Sequence, residues 1–165
     1  MTGTDRKERP DEPWKYPYVA GIMDFGSNLQ ARVKKESGAR FGHLIHVQIH
    51  IESTSPVVMG FLDEFCMNHG IEPRVREMEH NFRLEIAKRD DVRDFLRLVQ
   101  PFVIPRAEPI KIILDDLIPG LDNRLGNTED GFLELMGYVD EIRSHTASRR
   151  EPKYTQDYFR DEFNM

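Results

Sequence analysis

Four short stretches of this 165-residue chain set polar side chains at alternate positions: Gln30, Arg32 and Lys34, then His46, Gln48 and His50, then Arg74 and Arg76, and last Arg83. These residue types suit nucleic acid. Arginine pairs with guanine, glutamine with adenine, and lysine and arginine also hold phosphates. The same alternation describes the solvated face of a sheet whose other face is core. Alternation alone leaves both readings standing. His43, His46 and His50 fall at strand spacing, with His46 and His50 on one face. Zinc is conceivable there, but two histidines separated by Gln48 make a poor ligand set.

Positioning such side chains requires strands, and the hydrophobic period supplies them. Leu29, Ala31 and Val33 alternate with the first polar set, and Ile45, Val47, Ile49 and Ile51 with the second. A short strand is expected over residues 74–79, and another carries Phe82, Leu84 and Ile86 inward with Arg83 and Glu85 outward. Glu52 and Glu85 share the polar face and would repel phosphate.

Helices are expected between and after these strands. The first covers about residues 17–25, with Pro17 near its start. The second runs over 56–68 after Ser53-Thr54-Ser55-Pro56, buries Val57, Phe61, Leu62 and Phe65, and ends at His69-Gly70 with a left-handed glycine. A third, over 91–100, is capped by Asp90-Asp91 and buries Val92, Phe95, Leu96 and Val99. Residues 101–109 form a connector. A short apolar helix over 110–117 is stopped by Pro119-Gly120, and a long helix spans about 131–144. The order is α-β-β-α-β-β-α followed by further helices, an α+β fold. Residues 1–14 read as a disordered arm, 15–145 as the domain, and 146–165 as a charged tail with a short helix in which Tyr154, Tyr158 and Phe159 recur.

The formal net charge is −6, but it is uneven. Residues 27–111 hold 13 basic against 12 acidic side chains, a balance of +1, so the remainder carries −7 and the middle can present a basic face. One cysteine, Cys66, sits in an apolar helical run and reads as a buried structural thiol in a reducing compartment. No apolar run is long enough for a transmembrane span, and the N-terminus has no secretory pattern, so an intracellular place, in cytoplasm, nucleoid or an organelle, is expected.

The stretch Tyr18-Val19-Ala20-Gly21-Ile22-Met23-Asp24-Phe25-Gly26-Ser27 leads into the first strand. With the two alternating strand pairs, Asp94-Phe95-Leu96-Arg97-Leu98-Val99-Gln100-Pro101-Phe102 and Phe132-Leu133-Glu134-Leu135-Met136-Gly137, it resembles the LAGLIDADG homing endonucleases of single-motif, homodimeric type. The resemblance covers about residues 15–145. It implies an αββαββα fold, with a saddle-shaped antiparallel sheet bearing helices on one face and double-stranded DNA on the other. It also implies a homodimer joined through the motif helix, at Val19, Ala20, Gly21 and Met23. The polar set Gln30, Arg32, Lys34, His46, Gln48, His50, Arg74, Arg76 and Arg83 would contact DNA.

In active members the helix ends in two acids, and the second holds a divalent metal such as Mg2+ that activates water. In the gap-free register Asp24 is the first acid and Gly26 stands where the second belongs. Asp24 is left as the one candidate metal ligand and catalytic acid. The family's lysine position falls on Arg106, which keeps the charge and changes the geometry. The expectation is a sequence-specific double-stranded DNA-binding protein with cleavage lost or weakened. The alternative is an active Mg2+-dependent endonuclease with Asp24 as its acid.

Overall fold

The computed structural model describes residues 12–146 and 150–165. Most of the arm expected at 1–14, and the start of the tail at 147–149, lie outside the described residues. Trp14, the last residue of that arm, is packed: its ring stacks on Phe61 at 5.9 Å and meets Tyr18 edge-on at 6.0 Å.

The elements follow the expected order: α1 (Lys15–Gly26), β1 (Ser27–Lys35), β2 (His43–Ser53), α2 (Pro56–Asn68), β3 (Arg74–Glu77), β4 (Phe82–Ile86) and α3 (Arg89–Val99). Then come α4 (Ala107–Ile112), a π-helical turn (Ile113–Leu117), α5 (Ile118–Asp122), a 3-10 turn (Leu125–Asn127), α6 (Glu129–Ser144) and α7 (Gln156–Glu162). The strands form one sheet in the order β1-β2-β4-β3, and the β2–β4 and β4–β3 pairs are antiparallel.

Local chemistry accounts for most boundaries. Ser55 accepts a hydrogen bond from the Val58 amide at 3.2 Å, and Pro56 occupies the first turn of α2. At the other end Gly70 adopts φ of 71°. Its amide bonds to Met67 O at 3.1 Å, and the Ile71 amide to Cys66 O at 2.9 Å, a Schellman ending sealed by fully buried Ile71. Asp90 and Asp91 lie inside the first turn of α3 rather than at its cap, where their charge still opposes the helix dipole.

Two expectations about helices are corrected. Val57 is 81% exposed, because the buried stripe of α2 is Met59, Leu62, Phe65 and Cys66, on the opposite side. Pro119-Gly120 does not stop a helix. The Ile118 amide reaches back five residues to Ile113 O, and α5 then restarts with Pro119 in its first turn, where the missing N–H is harmless.

The chain forms two compact units. The first comprises the described residues up to 29, with 48–106. Here α1 packs on α3 and α2 on β4. Ile49, Ile51, Leu84, Ile86, Phe65, Phe95 and Leu96 are all at or below 1% exposure. Burial pushes the Cys66 thiol up to about 12, helped by Asp63 and Asp91, which leaves it an inert core group.

The second unit comprises residues 30–47 and 107–165. Its helices α4, α6 and α7 pack together. The tail expected to be a charged appendage is part of this core. Phe159 of α7 is 1% exposed and lies 4.8 Å from the Phe132 ring and 5.0 Å from that of His43. Thr155 caps α7 through the Tyr158 amide at 3.1 Å. Asp140 accepts from the Gln156 amide at 2.8 Å, and Arg143 donates to Tyr154 O at 2.6 Å.

Because Phe159 fills an enclosed aromatic cluster, Phe159→Ala is expected to cost about 3–5 kcal/mol in equilibrium denaturation. A loss below about 1 kcal/mol would show that α7 is not part of the core.

Candidate nucleic-acid interface

The polar side chains divide between the two units. In the first, strand register brings six of them onto one face. Pairing of β2 with β4 sets His50 opposite Glu85 and Glu52 opposite Arg83. Pairing of β3 with β4 sets Arg74 opposite Glu85 and Arg76 opposite Arg83. Arg83 donates its Nε–H to Glu52 Oε1 at 2.8 Å, and Asn81 donates to the other oxygen at 3.3 Å. The Glu85 carboxylate lies 3.6 Å from Arg76, 3.7 Å from His50 and 3.9 Å from Arg83. Two of the arginines expected to reach DNA are thus already tied to carboxylates. Alternation could not reveal this, because it says nothing of which residues meet across strands. Gln48, also expected on this face, is 8% exposed, as befits the middle of an inner strand.

In the second unit, Arg32 and Lys34 are exposed, and Gln30 and His46 are partly buried. Burial lowers the His46 pKa from its ordinary 6.5, and the charges of Arg32 and Lys34 lower it further. His43, set aside as a zinc ligand, sits among Tyr154, Tyr158 and Phe159, and its Nδ1 faces Phe41 O at 3.2 Å.

The end of α1 lies in the first unit. Asp24 does not stand free there. One carboxylate oxygen accepts the Ile104 amide at 2.9 Å and the other the Arg106 amide at 3.2 Å. The Arg106 guanidinium donates to Ser27 O at 2.8 Å, at the carbonyl end of the same helix. Asp24 and Arg106, the two candidate catalytic residues, therefore clasp the connector to α1. Gly26 offers no side-chain oxygen.

The dimer-face expectation is corrected by helix phase. Val19, Ala20 and Met23 are each 0% exposed within the chain itself. Tyr18, Gly21, Ile22 and Phe25 form the outer face, at the i, i+3, i+4, i+7 spacing. Phe25 is 87% exposed, and a Cβ on Gly21 would meet no atom within 4 Å. An open groove of about 640 Å³ runs along this face, lined among others by Tyr18, Gly21, Phe25, Ile51 and Val58.

No protein-family model and no curated protein sequence matches the chain. Solved structures do match. The homing endonuclease I-CvuI, solved with a DNA target, superposes with a TM-score of 0.80 at 12% identity over 92% of this chain and 93% of its own. The archaeal intron-encoded homing endonuclease I-Vdi141I, solved with DNA, gives 0.80 at 14% identity over 93% and 97%. The LAGLIDADG homing endonuclease I-SmaMI, bound to cleaved DNA, gives 0.64 at 13% identity over 88% of this chain and 53% of its own.

The chain has the LAGLIDADG homing-endonuclease fold. At the end of α1 the one side-chain carboxylate is that of Asp24. Both of its oxygens already accept backbone N–H groups, and Gly26, two residues on, carries no side chain. Among the described residues, no three His, Cys, Asp or Glu side chains are arranged to hold a metal ion. No helix there is long and apolar enough to cross a membrane.

His46 supplies a check on the local field. Its folded-state pKa lies below that of the unfolded chain, so as pH falls through about 6.5 the unfolded chain takes up the proton first. Stability is therefore expected to fall over that window. An NMR titration should place His46 below 6.5, and Arg32→Gln should raise it part of the way back.

Proposed function

We propose that this chain is a sequence-specific double-stranded DNA-binding protein of homing-endonuclease type, acting inside the cell as a homodimer, in which cleavage is lost or weakened. The observation that carries the reading is the state of α1's end. Asp24 serves as a clasp for residues 104–106, and Gly26 brings no carboxylate. Phosphodiester cleavage of the Mg2+-assisted kind needs oxygen ligands that fix a hard cation at the phosphate, and this end supplies only the engaged carboxylate of Asp24.

DNA binding is supported by the likeness in fold to proteins solved on DNA, and by the polar residues of the strands. Arg32 and Lys34 suit phosphate, while Arg74, Arg76 and Arg83 suit phosphate or guanine. A homodimer is supported by the outer face of α1. It is apolar, it is open at Gly21, and it displays Phe25 to solvent. A two-fold pairing of such helices would cover it and align two polar faces on a pseudo-palindromic site.

An unbiased selection from random duplexes, run with and without Mg2+, is expected to recover one pseudo-palindromic family under both conditions. Affinity should fall steeply with salt, and no strand should be cut. Absence of binding at low salt would overturn the reading. Cutting by the parent protein in Mg2+ would overturn the loss of cleavage and favour Asp24 as the acid.

Gly26→Asp is a second check. A Cβ there meets only Ile22 Cγ2, at 3.8 Å, and φ is not left-handed, so a carboxylate fits without strain. The substitution is expected to add Mn2+ binding by calorimetry and nicking of the selected duplex. Neither gain would mean that Gly26 is not the vacant acid position.

A further inference from the structure

The six side chains on the β2–β4–β3 face form a small charge lattice. One row reads His50, Glu85, Arg74 across the three strands, and the next reads Glu52, Arg83, Arg76. Residues paired across antiparallel strands project on the same side, so each carboxylate stands beside basic groups both across and along its strand. Glu85 occupies the middle strand, with its side chain 17% exposed, between His50, Arg76 and Arg83. Glu52 holds Arg83 through Nε–H at 2.8 Å and its terminal nitrogen at 2.6 Å. Three arginines face two carboxylates.

We infer that Glu52 and Glu85 are the specificity-determining residues of this face: they hold Arg76 and Arg83 aimed at base edges and turn away a duplex that offers only phosphate. The inference rests on the DNA-binding reading above.

Two properties of a carboxylate carry it. First, it fixes its partner. An arginine is a long side chain that loses rotamer freedom when it binds, and one already held by a carboxylate has lost much of that freedom beforehand. The remaining N–H groups of Arg83 then point in set directions and suit the paired acceptors of guanine. Second, a carboxylate only accepts hydrogen bonds. It can take an amino hydrogen from cytosine N4 or adenine N6, but a phosphate gives it nothing except repulsion. A phosphate reaching the remaining N–H groups of Arg83 would stand beside the Glu52 carboxylate, anion against anion. This part of the surface therefore adds little to sequence-independent binding, which comes from unpaired phosphate contacts. A duplex that presents amino groups to Glu52 and Glu85, and acceptors to the arginines, keeps every pair satisfied. The carboxylates thus act as discriminators, by the cost they impose on wrong partners.

The test uses the full chain and duplexes recovered by selection with the parent protein. Dissociation constants are measured over a range of salt for the selected duplex, its single-base-pair variants and a random duplex. The proteins are the parent, Glu52→Gln, Glu85→Gln, the double variant and Glu85→Asp. Glutamine keeps the size and an acceptor oxygen, and unchanged thermal midpoints verify the fold. Each glutamine variant is expected to bind random duplex about 3- to 10-fold more tightly, with a salt slope steeper by about one phosphate contact. Discrimination between selected and random duplex should fall by about tenfold or more. Glu85→Asp, which keeps the charge, should hold random-duplex affinity near the parent's.

Discrimination and salt slope unchanged in both single variants and the double would overturn the inference while leaving DNA binding intact. Equal losses on selected and random duplexes would overturn it too, by making the carboxylates merely structural. A parent that binds no duplex at all overturns the DNA-binding reading, and this inference with it.

Discussion

The register of β4 is set on its apolar side. Ile49 stands opposite Ile86 and Ile51 opposite Leu84, and all four are at or below 1% exposure. A slip of β4 by one residue would turn Leu84 and Ile86 to solvent and bring Arg83 and Glu85 into the core, so the pairing is strongly specified. Everything on the other face follows from it. Glu85 meets His50 because Leu84 and Ile86 are buried on either side of it, and Glu52 meets Arg83 for the same reason. The charge lattice needs no polar interaction to assemble it. Ion pairs at this exposure contribute at most about 1 kcal/mol each, far too little to choose a register. The core chooses, and the polar face inherits the arrangement.

Helix α1 shows how one short element meets two demands. Its inner residues, Val19, Ala20 and Met23, are fully buried in their own unit. Its outer residues, Tyr18, Gly21, Ile22 and Phe25, are apolar as well, and they are not. A surface helix of a monomer normally turns a polar face outward, so a second apolar stripe marks a surface with further work to do. Gly21 is the small residue on the outer stripe, since Ala20 points inward.

Much of this was legible in the chain and some was not. The alternation from Ile45 to Ile51, the Ser55-Pro56 start and the Gly70 stop are local signals, and the structure follows them. The phase of α1 was also present in the spacing of its residues. Around the helix, at roughly 100° per residue, Val19, Ala20 and Met23 fall on the inner side and Gly21 on the outer. What local pattern does not carry is contact across sequence distance. The clasp of Asp24 on Ile104 and Arg106 spans some 80 residues. The same holds for the link between Arg83 and Glu52. The burial of Phe159 was hidden differently: the composition of its surroundings is charged, and two adjacent aromatics in a short helix, Tyr158 and Phe159, do not announce which of them completes a core.

The π turn at Ile113–Leu117 has a consequence for how this segment tolerates change. A turn with an i to i−5 bond holds one residue more than its α counterpart while the helix on either side runs on. Tightening the turn to an ordinary α pitch would set the ring of Pro119 against the carbonyl four residues before it, where an α-helix needs an amide that proline does not have. The wide turn and the proline that follows it are thus compatible, since the ring sits where no amide is required.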